Sequence, residues 1–98
     1  MGWKIVFAPQ ALEELEQIVR FIAQDDPQAA IRFGGYLVDR AESLRNFPEL
    51  GTPYRKRGNV RRLLCKSYYL YYRLQRKEQT IEIMDYWHSA RREPRVRK

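Results

Sequence analysis

The charge of this chain is divided unevenly between its two halves. Its 98 residues carry 19 lysines and arginines against 12 aspartates and glutamates, a formal net charge of +7. Residues 1–54 hold 5 basic and 8 acidic side chains, whereas residues 55–98 hold 14 basic and only 4 acidic ones. Solubility alone does not require such segregation, so we expect the C-terminal half to bind a polyanionic or strongly acidic partner.

Length and composition exclude several classes of protein. The chain suits a single domain over residues 1–98, and 44% hydrophobic residues are too many for a disordered segment. With Cys65 as the single cysteine and His88 as the single histidine, a disulfide framework and a Cys- or His-rich metal site are excluded. We therefore expect no metal and no cofactor. No stretch approaches the ~18 apolar residues of a membrane span, which predicts a soluble, cytoplasmic protein without membrane contact.

The N-terminal half predicts one strand and one helix in succession. Residues 3–7 are rich in β-branched and aromatic side chains, which favours a short strand. Pro9 suits the first turn of a helix because its missing N–H costs nothing there. Apolar residues then recur at helical spacing, namely Leu12, Leu15, Ile18, Val19 and Ile22.

A second helix is predicted directly afterwards. Asp26 is a suitable N-cap before Pro27, and the apolar stripe continues to Phe47. The stripe consists of Ala30, Phe33, Leu37, Ala41 and Leu44. The short turn between the helices makes them antiparallel, and Gly34 and Gly35 indicate close approach of their backbones.

The C-terminal half predicts strands. Residues 52–59 are polar and rich in turn formers, and Val60–Cys65, 68–74 and 80–87 each resemble a strand. We therefore predict an α+β fold in which the helical hairpin packs on a mainly antiparallel four-stranded sheet, in the order β-α-α-β-β-β. Residues 91–98 are predicted to form a basic tail.

Three residues of this half could cleave RNA without a metal. Such cleavage needs a proton acceptor or donor and cations for the charge that gathers on the phosphorane. His88 could be the acid or base, and Arg62 and Arg91 could stabilise the phosphorane. The alternative for a lone histidine is a structural role at the end of a strand.

Basic and aromatic residues alternate through the predicted strands in a way that suits binding as well. Phosphates attract arginines, and bases stack on tyrosines. The alternative is a half-buried sheet with core tyrosines and solvated arginines. The candidate residues for binding a target or nucleic acid are Arg61, Tyr68, Tyr71, Arg73 and Arg92.

Several short motifs resemble the RelE/ParE family of toxins from bacterial type II toxin–antitoxin systems. They are the Phe-Pro-x-Leu-Gly-x-Pro linker of residues 47–53, the Val-Arg-Arg-Leu run of residues 60–63, the Tyr-x-Leu-x-Tyr-Arg strand of residues 68–73 and the final His-x-x-Arg of residues 88–91. The resemblance spans nearly the whole chain, and the order of predicted elements matches as well. It implies a toxin that inhibits growth and forms a hetero-oligomer with a cognate acidic antitoxin.

The family resemblance implies one of two targets. ParE-like members block DNA gyrase without a hydrolytic site, whereas RelE-like members cut mRNA on the ribosome. Many RelE-like members carry an arginine where this chain has Tyr69, and the linker of residues 47–53 is more similar to ParE-like members. We therefore expect gyrase to be the target, with ribosome-dependent mRNA cleavage by His88, Arg62 and Arg91 as the alternative.

Overall fold

The computed structural model describes residues 2–55 and 59–91. Within these residues the chain forms two helices and five strands: β1 (Lys4–Phe7), α1 (Pro9–Ala23), α2 (Pro27–Ser43), β2 (Thr52–Pro53), β3 (Val60–Cys65), β4 (Tyr68–Gln75) and β5 (Thr80–His88). The predicted α+β class and order are confirmed, since a strand, a helical hairpin and further strands follow one another. The predicted basic tail lies outside the described residues from position 92 onward.

The two helices begin where the sequence predicts. Pro9 occupies the first turn of α1, and the Asp26 carboxylate caps α2 by accepting a hydrogen bond from the N–H of Ala29 at 3.1 Å. A Cβ atom on Gly34 would lie 2.9 Å from Val19 Cγ2, so this glycine allows α1 and α2 to approach closely. The same prediction was wrong for Gly35, where a Cβ would meet nothing within 4 Å.

Helix α2 is shorter than the sequence predicts. It ends at Ser43 rather than at Phe47, and the Phe47 side chain is 64% exposed. The reason is a competing contact after the helix, because the Arg45 carbonyl accepts a hydrogen bond from Trp3 N–H and the Arg45 guanidinium donates to the Trp3 carbonyl. These bonds tie the chain after α2 to the residue before β1 and stop the helical repeat.

The sheet has five strands instead of the predicted four. Its order is β1-β5-β4-β3-β2, with β1 parallel to β5 and the other neighbours antiparallel. The additional strand lies in the segment predicted to be turns, where Thr52 and Pro53 pair with Arg62 and Arg61. Proline is tolerated there because β2 is an edge strand and needs no donor on its outer side.

The linker between α2 and β3 is held by groups from the sheet. The Tyr72 hydroxyl accepts a hydrogen bond from Gly51 N–H at 2.9 Å and donates to the Pro48 carbonyl at 2.8 Å. Arg61 Nε donates to the Gly51 carbonyl at 2.9 Å. A Cβ on Gly51 would lie 2.5 Å from the Arg62 carbonyl oxygen, so glycine is required at this approach.

A bulge in β5 changes which residues share a face. Tyr71 pairs with Asp85 and Tyr72 with Ile83, which leaves Met84 as the extra residue. Strict alternation would put Trp87 on the same face as Ile83. Because of the bulge, Tyr86 packs with Ile83 in the main core, whereas Trp87 belongs to a second cluster.

The sheet therefore has two different faces. The hairpin-covered face forms the main core, in which helix residues Ala11, Ile18, Leu37, Ala41 and Leu44 pack with strand residues Leu63, Cys65, Leu70, Tyr72, Leu74, Ile81, Ile83 and Tyr86. The open face carries a smaller cluster of Tyr54, Val60, Tyr69, Tyr71, Met84 and Trp87. Neither described helix combines the length and the apolar character needed to cross a membrane.

Candidate functional site

Arg62 lies among three tyrosines on the open face. Its Cζ is 4.1 Å from the centre of the Tyr69 ring and 5.5 Å from that of Tyr54, both within cation–π range. Its Nη1 donates a 3.4 Å hydrogen bond to the Tyr71 hydroxyl. Burial raises the pKa of Tyr71, so the phenol stays neutral, and this hydrogen bond raises the pKa of Arg62. The result is a fixed cation on an aromatic surface.

Arg91 forms a similar contact at the other side of the same face. Its Cζ lies 3.8 Å from the centre of the Trp87 ring, and its Nη1 is 3.9 Å from Glu14 Oε1. Trp87 and Tyr69 are direct cross-strand partners in β5 and β4. Arg62, Tyr69, Trp87 and Arg91 therefore form a series across the sheet, here called the open-face ladder, with a guanidinium stacked on each of its two paired rings.

His88 lies on the opposite face of the sheet from Arg62, although its carbonyl accepts a 3.0 Å hydrogen bond from the Arg91 N–H. It is the cross-strand partner of Tyr68, and the two rings meet edge to face with centroids 5.0 Å apart. The Tyr68 ring is in turn 5.8 Å from Phe33 of α2 and packs against the main core. Both His88 and Tyr68 therefore lie on the hairpin-covered side of the sheet, opposite Arg62 and Tyr71.

The ring nitrogens of His88 are also constrained. Its Nδ1 accepts a 3.1 Å hydrogen bond from the N–H of Ala90, so the neutral ring carries its proton on Nε2. In that tautomer the Nδ1 lone pair is already used and Nε2 has none to offer. This arrangement does not suit a general base.

The other predicted binding residues are dispersed. Arg61 points to the linker, with its guanidinium on the Gly51 and Glu49 carbonyls. Arg73 on the open face is paired with Glu82 of the neighbouring strand, and its Nε donates at 3.2 Å. The predicted residue Arg92 lies outside the described residues. Of the eight predicted site residues, the structure brings Arg62, Tyr71, Arg73 and Arg91 to the open face.

The sequence-based reasoning missed a buried carboxylate beside this face. Asp85 is 9% exposed, accepts a 3.0 Å hydrogen bond from Gln10 Nε2, and its other oxygen accepts one from the Tyr86 N–H. Burial, reinforced by the nearby Glu14 carboxylate, raises the pKa of Asp85 to about 6. No short sequence pattern indicates this carboxylate, because Asp85 meets Gln10 of α1 only in the folded chain, 75 positions away.

Three aromatic members of the site were also absent from the predicted set, namely Tyr54, Tyr69 and Trp87. Tyr69 follows from alternation with Tyr71, whereas Trp87 joins this face only because of the bulge. Among residues 2–55 and 59–91, no three of the His, Cys, Asp and Glu side chains are grouped so that they could hold a metal ion.

A family model described as the ParE toxin of the type II toxin–antitoxin system parDE matches residues 5–93. The chain belongs to this toxin family. It is a type II toxin–antitoxin toxin of the RelE/ParE superfamily, as the sequence motifs indicate.

Individual relatives agree with this assignment. "Putative toxin Y4kP" of Sinorhizobium fredii is 29% identical over 94 residues, which cover 95% of each chain. A solved structure of the chromosomal ParDE system from P. aeruginosa superposes with a TM-score of 0.73 at 15% identity, over 89% of this chain and 96% of the other.

The fold is also shared with a RelE-type system. A toxin–antitoxin complex, RelBE2 from Mycobacterium tuberculosis, gives a TM-score of 0.67 at 20% identity, over 90% of this chain and 99% of the other. At these identities the likeness concerns the fold alone.

Proposed function

We propose that this toxin inhibits growth by blocking DNA gyrase without catalysing a hydrolytic step, and that a cognate antitoxin neutralises it. The proposal is supported by the separation of His88 from Arg62, which lie on opposite faces of the sheet. A metal-independent nuclease needs its acid or base within hydrogen-bonding reach of the reacting atoms, and its cations must stabilise the same phosphorane. A protein that binds and blocks an enzyme needs only a recognition surface, and the open-face ladder is suited to that.

Tyr71 of the open face is a poor substitute for the histidine. Burial raises the pKa of Tyr71, and its hydroxyl accepts the hydrogen bond from Arg62. A phenol with a raised pKa is a weaker acid and is protonated near neutral pH, so it cannot serve as a base. This observation favours binding over cleavage at the open face.

The alternative activity is ribosome-dependent cleavage of mRNA. It is favoured by one specific observation, the presence of Arg62 and Arg91 on the same face, since two guanidinium groups could hold a phosphodiester. On this alternative the acid and base would have to come from the ribosome or from a rearranged His88. Cleavage of mRNA therefore needs an acid or base from a rearranged His88 or from the ribosome, whereas blocking gyrase needs neither.

Two assays in parallel separate the candidates. Purified toxin is added to DNA gyrase with relaxed plasmid, and primer extension is run on mRNA from cells in which the toxin is induced. We expect loss of supercoiling and no cuts phased with codons. Normal supercoiling at excess toxin would contradict the gyrase target, and codon-phased cuts would support the ribonuclease.

Substitutions test directly whether toxicity depends on Arg62 and not on His88. We expect His88→Ala to remain toxic on induction and Arg62→Gln to lose toxicity, with Arg20→Gln as a matched control because Arg20 is an exposed helix residue paired with Glu16. Protein levels are followed by immunoblot. Loss of toxicity in a folded His88→Ala variant would oppose the proposal.

A cognate antitoxin is the expected partner on the basis of the neighbours. The P. aeruginosa and M. tuberculosis structures are described as toxin–antitoxin systems. We expect co-expression of the short reading frame adjacent to this one to restore growth and to yield a co-purifying complex. If the protein encoded by that reading frame does not restore growth, it is not the antitoxin of this toxin.

A further inference from the structure

The turn that follows α2 exposes two apolar side chains next to each other. Phe47 is 64% exposed and Leu50 is 44% exposed. The Leu50 N–H donates a 3.0 Å hydrogen bond to the Phe47 carbonyl, so the two residues are the ends of a four-residue turn. Their backbones are therefore neighbours, and a partner can contact both side chains, here called the linker pair, at one place.

Groups from the sheet hold this turn in one position. The Tyr72 hydroxyl, which is fully buried with its ring, binds the Pro48 carbonyl and the Gly51 N–H. The Arg61 guanidinium donates to the carbonyls of Gly51 and Glu49. The backbone of the turn is thus fixed from inside while its two apolar side chains stay outside. A partner that binds the linker pair has little chain to order, which favours affinity.

The charges beside the linker pair are balanced. Arg76 Nη2 lies 3.0 Å from Glu49 Oε2, and Arg45 Nη2 lies 2.7 Å from Glu42 Oε1. Nucleic acids bind mainly through cations that are available to phosphates. An apolar centre with a polar rim is instead the usual composition of a protein–protein contact. The linker pair is therefore suited to an apolar pocket on a protein.

We propose that Phe47 and Leu50 anchor this toxin in an apolar pocket of the protein that it blocks. The inference rests on the proposed function, since it requires a protein target, and it adds an apolar contact to the cationic one of the open-face ladder. It also assigns the buried Tyr72 hydroxyl a part in recognition. Tyr72 acts as a positioning residue, because it fixes the turn that carries the pair.

The first test is binding of purified toxin to immobilised DNA gyrase by biolayer interferometry. Phe47→Ala and Leu50→Ala should each weaken binding at least about tenfold, and the concentration for half-inhibition of supercoiling should rise by a similar factor. The matched controls are Phe21→Ala and Ile31→Ala, because these helix residues are 71% and 66% exposed. Each control should change affinity less than about twofold. Circular dichroism verifies the fold of all four variants.

The second test is growth on induction, which does not depend on the identity of the target. Phe47→Ala and Leu50→Ala should lose toxicity at protein levels where Phe21→Ala keeps it. Normal supercoiling with unsubstituted toxin would contradict gyrase as the target, and the growth result would still decide on the linker pair. Full toxicity of both linker variants would overturn the anchor, whereas loss of toxicity would support it for another protein target.

A pair of hydroxyl deletions tests the positioning role. Tyr72→Phe leaves Phe47 and Leu50 in place but frees the turn, and it should weaken gyrase binding at least about threefold. Tyr86→Phe removes an equally buried hydroxyl that binds the Leu37 carbonyl of α2, and it should change affinity less than about twofold. Equal weakening in the two variants would show an effect of stability alone and would contradict the positioning role.

Two further results would overturn the proposal. Equal weakening of gyrase binding by Phe21→Ala would mean that any exposed apolar side chain contributes alike. A Phe47→Ala variant that stays fully toxic, but is no longer neutralised by the product of the adjacent reading frame, would make the linker pair a contact for the antitoxin instead of the target.

Discussion

The two faces of the sheet use tyrosine in opposite ways. On the hairpin-covered face, Tyr72 and Tyr86 are fully buried, and their hydroxyls bind backbone groups of the linker and of α2. On the open face, the Tyr69 ring is a platform for Arg62. Tyrosine thus links secondary-structure elements through hydrogen bonds on one face and packs against an arginine on the other. The composition of a strand therefore does not show which tyrosines are available to a partner.

This contrast also explains why the predicted catalytic set is divided. His88 lies on the covered face and Arg62 on the open face, although the sequence suggested both as parts of one cleavage site. We therefore expect stability to depend on the covered face and recognition on the open one.

The largest expected effect on stability is from the covered face. Leu37 is fully buried, so Leu37→Ala should lower the free energy of unfolding by about 3 kcal/mol. Leu64→Ala on the open face removes a half-exposed side chain and should cost less than about 1 kcal/mol. Urea unfolding followed by circular dichroism measures both. Similar losses would mean that the open face is part of the stabilising core.

The next effect depends on pH and concerns Asp85. Its pKa is raised to about 6 in the folded protein, against about 4 in an unfolded chain, so the folded state binds its proton more tightly. The stabilising contribution is therefore fully present below about pH 4 and is lost as the pH rises through about 6.

The asparagine side chain in Asp85→Asn cannot ionise. The variant should therefore not lose unfolding free energy as the pH rises through about 6. Relative to the unsubstituted protein, the variant should gain up to about 2 kcal/mol of unfolding free energy between about pH 4 and pH 7. Glu13→Gln, on an exposed position of α1, is the control and should show no such trend. A difference between Asp85→Asn and the unsubstituted protein that stays constant with pH would contradict the assignment.

A smaller effect is expected from single hydroxyl groups. Tyr72→Phe loses both hydrogen bonds that hold the linker and should lower the unfolding free energy by about 1–2 kcal/mol. Tyr69→Phe keeps the ring under Arg62 and should change the unfolding free energy by less than about 0.5 kcal/mol. Thermal unfolding compares the pair. Equal effects would show that the two faces do not differ in how they use tyrosine.

The smallest effect is expected from the ion pair on the open face. A double-mutant cycle with Arg73→Gln and Glu82→Gln should give a coupling energy of about 0.5 kcal/mol, reduced at high salt, because both side chains are about a quarter exposed. The exposed Arg20–Glu16 pair provides the reference cycle and should give less. A coupling above about 2 kcal/mol would indicate that the pair organises the face.

The sequence by itself determined most of the architecture. Proline and aspartate at the helix starts, apolar spacing and strand alternation identified both helices and four of the strands. Alternation along β4 also places Leu70, Tyr72 and Leu74 on one face and Tyr69 and Tyr71 on the other, in agreement with the two clusters. These features are local, since each depends on residues a few positions apart.

Tertiary contacts decided the rest. Arg45 ends α2 by bonding to Trp3, 42 positions away, and Thr52–Pro53 becomes a strand only because β3 offers an edge. The bulge at Met84 moves Trp87 to the open face and His88 to the covered one, which assembles the ladder and divides the predicted catalytic residues. Pairing between distant segments fixes such a shift of one residue, and no short pattern in the sequence encodes it.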